Sequence, residues 1–497
     1  MSITNLPTEL LSQICGYLEP SEWCALRITC QILHAKSREA FADRFFKSIC
    51  MLVSQDGLNG LEQFTTNEFI RTHVKELLIV PVLFEGESNM SVARFRDTSH
   101  SVQDYGQYQS EVAEHCRLLD SGAFEDTLTR CVAQFENLTM IGLQSLTMAY
   151  RVAGRERYFP RCLGLRSLVR RVPCGRSGIQ LYIPRRDRVD FARAHSRILS
   201  VLFKAIVASN RPLRKIDTCK DFHLGCTAAA FTIPESIQQS LIPLVQELET
   251  LHLCQLAESP EDNSLDFMHT ILVEAAPSLK SLTYGQWCPN RNMSPYSLTS
   301  LVERVNFRRL MELHLCWVEI TYNSFEELLR TAQPTLRILS LHHVNLNYKS
   351  MPSSESSSAE DLKKTEITKD EMIQAWRCIW NTIRDELSLT CLSLYKLGCY
   401  GLEVNVRDGF SRGFTSTIGH TEAWYNGTHT DIPIHEWINN LRARPRMERS
   451  KLLPGGKWSG HAPTSLCTML ILPFTGPLIG NDPSTDVQSY VSLVASR

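Results

Sequence analysis

The chain has 497 residues, of which 43% are hydrophobic and 21% charged. At roughly 150 residues per domain that length suggests about three domains, and the apolar share excludes a globally disordered chain. A formal net charge of -1 gives no overall pull toward nucleic acid or anionic membrane, so either preference would need a local patch.

The opening residues, Met1 to Leu10, lack a basic stretch followed by an apolar one, which argues against a secretory signal. The densest apolar run, residues 198–208, is interrupted by Lys204 and is too short to span a bilayer. A soluble chain of the cytoplasm, the nucleus or both is expected. The seventeen cysteines, from Cys15 to Cys467, form no C-x-x-C pair. They are expected to be reduced, buried thiols that act as small hydrophobes, with no metal and no cofactor.

The first helix is expected from Leu6-Pro7-Thr8-Glu9-Leu10-Leu11. Proline suits the first helical position, and Glu9 in the first turn complements the dipole. Leu10, Ile14, Tyr17 and Leu18 recur at helical spacing and are expected to form one apolar face. After Glu19-Pro20, Ser21 reads as the N-cap of a second helix carrying Trp23, Leu26 and Cys30. A third, from about Ser37, carries Ala40, Phe41, Phe45 and Phe46. Three short helices make a very small core, and a unit of this size is expected to need a partner.

The run Leu6-Pro7-x-Glu9-Leu10-Leu11-x-x-Ile14-x-x-Tyr17-Leu18, followed by Leu26 and Cys30, closely resembles the F-box over residues 3–48. The family often places a basic residue after the cysteine and an aromatic two positions later, where this chain has Gln31 and Ile32-Leu33. The resemblance implies that Leu6, Pro7, Glu9, Leu10, Ile14, Leu18, Leu26 and Cys30 bind a Skp-type adaptor. Through that adaptor come cullin and RING subunits.

Further along, the template L-x-x-L-x-L-x-x-apolar recurs. Its clearest copies start at Leu248, Leu279, Leu310, Leu336 and Leu389, in steps of 31, 31, 26 and 53 residues. Weaker copies start at Val74, Leu138 and Leu213. A helical pattern is expected ahead of each copy, as in Met268, Ile271, Leu272 and Ala275 and in Phe325, Leu328, Leu329 and Ala332, these two followed by Pro277 and Pro334. Helix, proline stop and strand make one unit, and stacked units share a continuous core. The longest step holds residues 350–364, rich in Ser, Glu and Lys, which read as a solvated loop.

The expected architecture is therefore α/β. An N-terminal three-helix F-box (3–48) precedes a leucine-rich-repeat-like solenoid (70–400) with parallel strands on the concave side and helices on the convex side. A C-terminal cap and loop-rich tail (401–497) closes the chain. Pro433 starts a terminal helix with Ile434, Trp437, Ile438 and Leu441 on one face, expected to cover the open end of the solenoid, and Pro454-Gly455-Gly456 reads as loop. The repeat pattern resembles the irregular, long-repeat horseshoes that often follow an F-box, especially in fungal families, where the solenoid recruits the substrate.

Side chains alternate along a strand, so the residues between template leucines face a partner. His252, Thr283, His314, Trp317, Ser340, His342, Ser393 and Tyr395 are the candidate substrate-binding residues on or beside that face. His252 and His314 share a repeat position but stand two rungs apart, about 10 Å, too far to share a zinc ion. Residues 151–193 contain twelve arginines and no lysine, read as a solvated basic loop or, alternatively, as a dock for acidic or phosphorylated groups. No G-x-S-x-G, P-loop or G-x-G-x-x-G motif occurs, so no catalysis is expected. The expected function is a non-catalytic substrate receptor of a ubiquitin ligase that recruits an unidentified protein. The alternative is a repeat scaffold that joins no ligase, and a nucleic-acid role through the arginine segment ranks below both.

Overall fold

The computed structural model describes residues 2–18, 20–81, 102–144, 162–171, 188–218, 225–256, 265–287, 298–347, 369–395, 397–399, 402–407, 422–426, 433–439 and 441–445. They fall into two compact units, residues 2–218 with 233–244, and residues 225–232 with 245–445. The insertion expected at 350–364 and the loop at 454–456 lie outside the described residues. No described helix is long and apolar enough to cross a membrane.

The first unit opens with α1 (Thr8–Gly16), α2 (Pro20–Thr29) and α3 (Gln31–Phe45). Three boundaries differ from expectation. Pro7 is extended (φ -54°, ψ 150°) and precedes the helix instead of occupying its first turn. Pro20 takes the first helical position of α2, which its fixed φ favours, so Ser21 lies inside the helix and not at its cap. Cys30 is also extended (φ -159°, ψ 158°), and α3 resumes at once from Gln31, six residues before the apolar spacing becomes readable.

Then follow β1 (Ser48–Leu52), α4 (Gln55–Thr66), α5 (Glu68–His73), β2 (Glu76–Val80), α6 (Val102–Asp120), α7 (Ala123–Gln134), β3 (Met140–Leu143), β4 (Cys162–Leu163), α8 (Leu165–Arg171), α9 (Arg188–Ser209), β5 (Lys215–Asp217) and α10 (Glu235–Val245). The strands pair in parallel in the order β4-β1-β2-β3-β5. Strands therefore form at the three weak copies of the template, and β1 adds one upstream of the expected start at residue 70. Gly142 lets β3 and β5 close up, since a Cβ there would sit 2.5 Å from the Asp217 carbonyl oxygen.

The second unit contains β6 (Cys226–Thr227), β7 (Thr250–Leu256), α11 (Leu265–Ala275), β8 (Ser281–Trp287), α12 (Thr299–Val302), β9 (Glu312–Cys316), β10 (Glu319–Thr321), α13 (Tyr322–Ala332), β11 (Ile338–His342), β12 (Asn345–Asn347), α14 (Lys369–Glu386), β13 (Cys391–Tyr395), β14 (Leu397–Cys399), β15 (Leu402–Arg407), β16 (Glu422–Asn426), α15 (Ile434–Asn439) and β17 (Arg442–Pro445). Strands β6, β7, β8, β9, β11 and β13 form one parallel ladder. Leu251, Leu282, Leu313, Leu339 and Leu392 align rung by rung. None of the five is more than 3% exposed, so the template leucines form one stack, as expected. Met268, Ile271, Leu272 and Ala275 of α11 and Phe325, Leu328, Leu329 and Ala332 of α13 are buried as well.

The rungs are also joined by a recurring backbone bond, in which one carbonyl at each strand entry accepts two successive N–H groups from the next strand. In the first unit Lys47 accepts from Lys75 and Glu76, and Lys75 from Thr139 and Met140. In the second, Glu249 accepts from Lys280 and Ser281, Lys280 from Met311 and Glu312, and Met311 from Arg337 and Ile338.

Two features of the second unit were not anticipated. Beyond β9 and β11 the chain turns a corner into β10 and β12, which pair in parallel as part of a second, five-stranded sheet, β10-β12-β14-β15-β17. The ladder's last parallel strand, β13, is covered by β16, which runs antiparallel to it. The expected terminal helix is present as α15, with Trp437 and Ile438 buried, but Leu441 lies beyond its end. The open edge is closed by a strand because β13 still has a row of backbone groups to pair.

Candidate functional site

Within residues 3–45 the buried side is built from Leu11, Cys15, Trp23, Leu33, Phe41 and Ala42. Trp23 packs edge-on against Phe41 (5.9 Å between centroids) and Phe45 (5.4 Å). The nearly buried Arg27 places its guanidinium 3.9 Å from the Phe41 ring centre and contacts His34 at 3.0 Å. Lys36 Nζ donates to the carbonyls of Thr4 (2.9 Å) and Leu6 (2.8 Å), and Arg44 to those of Cys15 (3.3 Å) and Gly16 (2.9 Å). Both long cations thus donate to main-chain carbonyls at a helix end or turn, where the last carbonyls lack a full set of intrahelical partners.

So small a core is also supported by the first repeat that follows it. Phe46 stacks edge-on against Phe64 of α4 at 5.5 Å. Glu39 meets His73 Nε2 at 2.8 Å, and Arg38 lies 3.8 Å from the Phe69 ring centre.

What the helices leave outward is apolar. Leu10 is 46% exposed, Ile14 39% and Tyr17 80%. Pro7 and Glu9 are exposed, and Leu6, Leu18, Leu26 and Cys30 are half-buried. Of the seven large apolar side chains exposed among the described residues, six lie between Ile3 and Ile32. Ile3, Tyr17, Ile28 and Ile32 were not among the expected contacts, although Tyr17 was expected on the apolar face of the first helix. Ile28 and Ile32 flank Cys30, where α2 ends and α3 begins, and no single helical period connects them.

Residues 3–39 match the F-box-like family. The match accounts for the helices carrying this outward apolar surface, and the F-box thus forms the N-terminal part of the first unit. A comparison with curated proteins finds no match. Among solved structures, the chain is similar to the leucine-rich repeat-containing protein LegL7 from Legionella pneumophila. That likeness has 11% identity over 59% of this chain and 89% of that chain, with a TM-score of 0.16. The repeat assignment rests on the ladder's own register.

On the ladder of the second unit, the residues between the buried leucines share the opposite face in register. One row reads His252, Thr283, His314, Ser340, Ser393, and the next Cys254, Gly285, Cys316, His342, Tyr395. Seven of the eight candidate residues lie in these two rows, and the eighth, Trp317, follows β9 directly. His252, Thr283, His314, Trp317, His342 and Tyr395 are half-buried, whereas Ser340 and Ser393 are buried. Burial pushes His314 down to about 4, with Glu312 opposing and His252 adding to the shift. Burial, with help from His314, does the same to His342. At neutral pH both rings are therefore uncharged, and His342 Nε2 lies 3.3 Å from Ser393 Oγ.

The arginine segment is not simply a loop. Residues 151–161 and 172–187 lie outside the described residues, but α8 and α9 take up its remaining parts. Arg171 pairs with Glu111 at 2.5 Å and also with Asp56, which holds its guanidinium firmly protonated. Its two carboxylate neighbours leave it poorly placed to capture an external anion. Twelve of the described cysteines are free thiols, but only six of these are buried, so the expected burial holds for half of them. Among the described residues no group of three or more His, Cys, Asp or Glu side chains could hold a metal ion.

Proposed function

We propose that this chain is the substrate receptor of a ubiquitin ligase of the Skp–cullin–RING type. Its F-box docks a Skp-type adaptor, and the strand face of the second unit recruits a protein substrate. The receptor performs no reaction itself, because transfer chemistry belongs to the other subunits. It would act in the cytoplasm, the nucleus or both. The observation carrying this reading is the concentration of exposed apolar side chains on the F-box helices, a surface that covering by a partner would remove from water.

Leu10→Asp with Ile14→Asp tests it, because both side chains already face solvent and the fold has little stake in them. Co-purification with a Skp-type adaptor should be lost while thermal unfolding of the chain stays within about 1 kcal/mol of the parent. Full adaptor recovery by the folded double variant would refute the reading.

A further inference from the structure

The corners between the two sheets of the second unit carry residues that a corner does not favour. Trp317 and His343 have φ of 57° and 53°, in the left-handed region. That conformation suits glycine or asparagine and strains residues with bulky side chains. Both occupy the same repeat position, one residue past the end of a ladder strand. Their N–H groups bond the next rung alike, Trp317 to the His342 carbonyl and His343 to the Tyr395 carbonyl, each at 2.8 Å.

By strand parity both side chains would continue the buried rows of Leu313 and Leu315, or of Leu339 and Leu341. The left-handed turn instead brings them alongside a ring of the opposite face. Trp317 and His343 stack at 3.5 Å with 11° between planes, and His343 meets Tyr395 edge-on at 5.3 Å. His342 lies 5.7 Å from Tyr395. All four rings are half-buried, so the strained backbone holds aromatic surface partly in water when glycine would make the turn more cheaply. Two residues past Trp317, Glu319 stands on the side of β10 opposite the buried Ile320 and accepts a bond from Asn347 at 3.0 Å.

Building on the receptor reading above, we propose that this aromatic shelf is the part of the strand face that grips the substrate, and that it takes an arginine side chain of a basic peptide segment. A guanidinium is planar and stacks on ring faces, and it is weakly enough hydrated to leave water for them. The shelf complements it in charge: ring faces are electron-rich, His342 is neutral at physiological pH, and Glu319 supplies a carboxylate two residues past Trp317. An acidic or phosphorylated segment would meet the opposite field.

The test uses the full chain and two fluorescent dodecapeptides of glycine and serine. One is spaced with arginines and the other with citrullines, which keep the shape and lose the charge. Anisotropy should show the arginine peptide binding at least tenfold more tightly than the citrulline peptide. Trp317→Gly, which relieves the left-handed strain, should weaken the arginine peptide at least tenfold. Glu319→Gln, which keeps an oxygen to accept the Asn347 bond and removes only the charge, should weaken it several-fold. Equal binding of both peptides, no binding of either, or binding insensitive to both substitutions overturns the proposal. Adaptor recovery, measured on the same Trp317→Gly and Glu319→Gln proteins, should be unchanged. Adaptor loss with Leu10→Asp and Ile14→Asp reports separately on the receptor reading.

Discussion

Leu313→Ala probes the repeat at its centre. Leu313 is fully buried and sits between Leu282 and Leu339 on the neighbouring rungs. The substitution removes three carbons, worth about 2.4 kcal/mol at ~0.8 kcal/mol each. Rungs fixed by backbone bonds on both sides cannot collapse into the gap, so a cavity term raises the expected loss to about 3–4 kcal/mol. A chain with two compact units need not unfold in one step, so the readout should be local. Hydrogen exchange followed by mass spectrometry should show amides of β8, β9 and β11 exchanging on the order of 100-fold faster, since every 1.4 kcal/mol is tenfold. Amides of β2 and β3, in the other unit, should be unchanged. A loss under about 1 kcal/mol, which is the ordinary scale of a surface change, would mean that the leucine stack is not the core of the repeat.

Two more outcomes follow from other groups. His314 and His342 titrate near pH 4 in the folded chain against about 6.5 when unfolded. The unfolded state therefore binds more protons between those values, and stability falls as pH drops from about 6.5 toward 4. The loss is of order 3 kcal/mol for one such histidine, and His314→Gln with His342→Gln should flatten melting temperature against pH between 7 and 5. Arg44→Met removes the donor to the Cys15 and Gly16 carbonyls at the end of α1. It should destabilise the F-box by about 1–2 kcal/mol, measurable as faster exchange of α1 amides and weaker adaptor binding, and no change in either would show the contact to be idle.

The ladder was legible because each template leucine is buried on one face of a strand, and that constraint leaves a spacing. Leu251, Leu282, Leu313, Leu339 and Leu392 were placed correctly to the residue, along with the helices ahead of β8 and β11. Strand β1 was not anticipated, because four consecutive buried residues, Ile49 to Leu52, show no alternation to read. The outward row was legible from parity alone. Of the aromatic shelf, Trp317, His342 and Tyr395 were legible as candidates, but His343 and the stacking were not, because strand parity assigns Trp317 and His343 to the buried row and only the backbone turn reverses them. The F-box motif was readable, but its dependence on Phe64 and His73 was not, since those contacts join segments that share no pattern.

The doubled hydrogen bond at each strand entry explains how this chain tolerates such uneven repeats. The accepting residues are Lys47, Lys75, Thr139, Glu249, Lys280, Met311 and Arg337, and no chemical property unites them, because the bonds are made by main-chain groups. Rung spacing is thereby fixed by groups that mutation leaves in place. The connecting segments need only return to the next entry point, whatever their length. Such a fold can diverge at its entry positions and lengthen its connections while the buried rows stay aligned, so its ancestry would fade from the sequence long before it faded from the backbone.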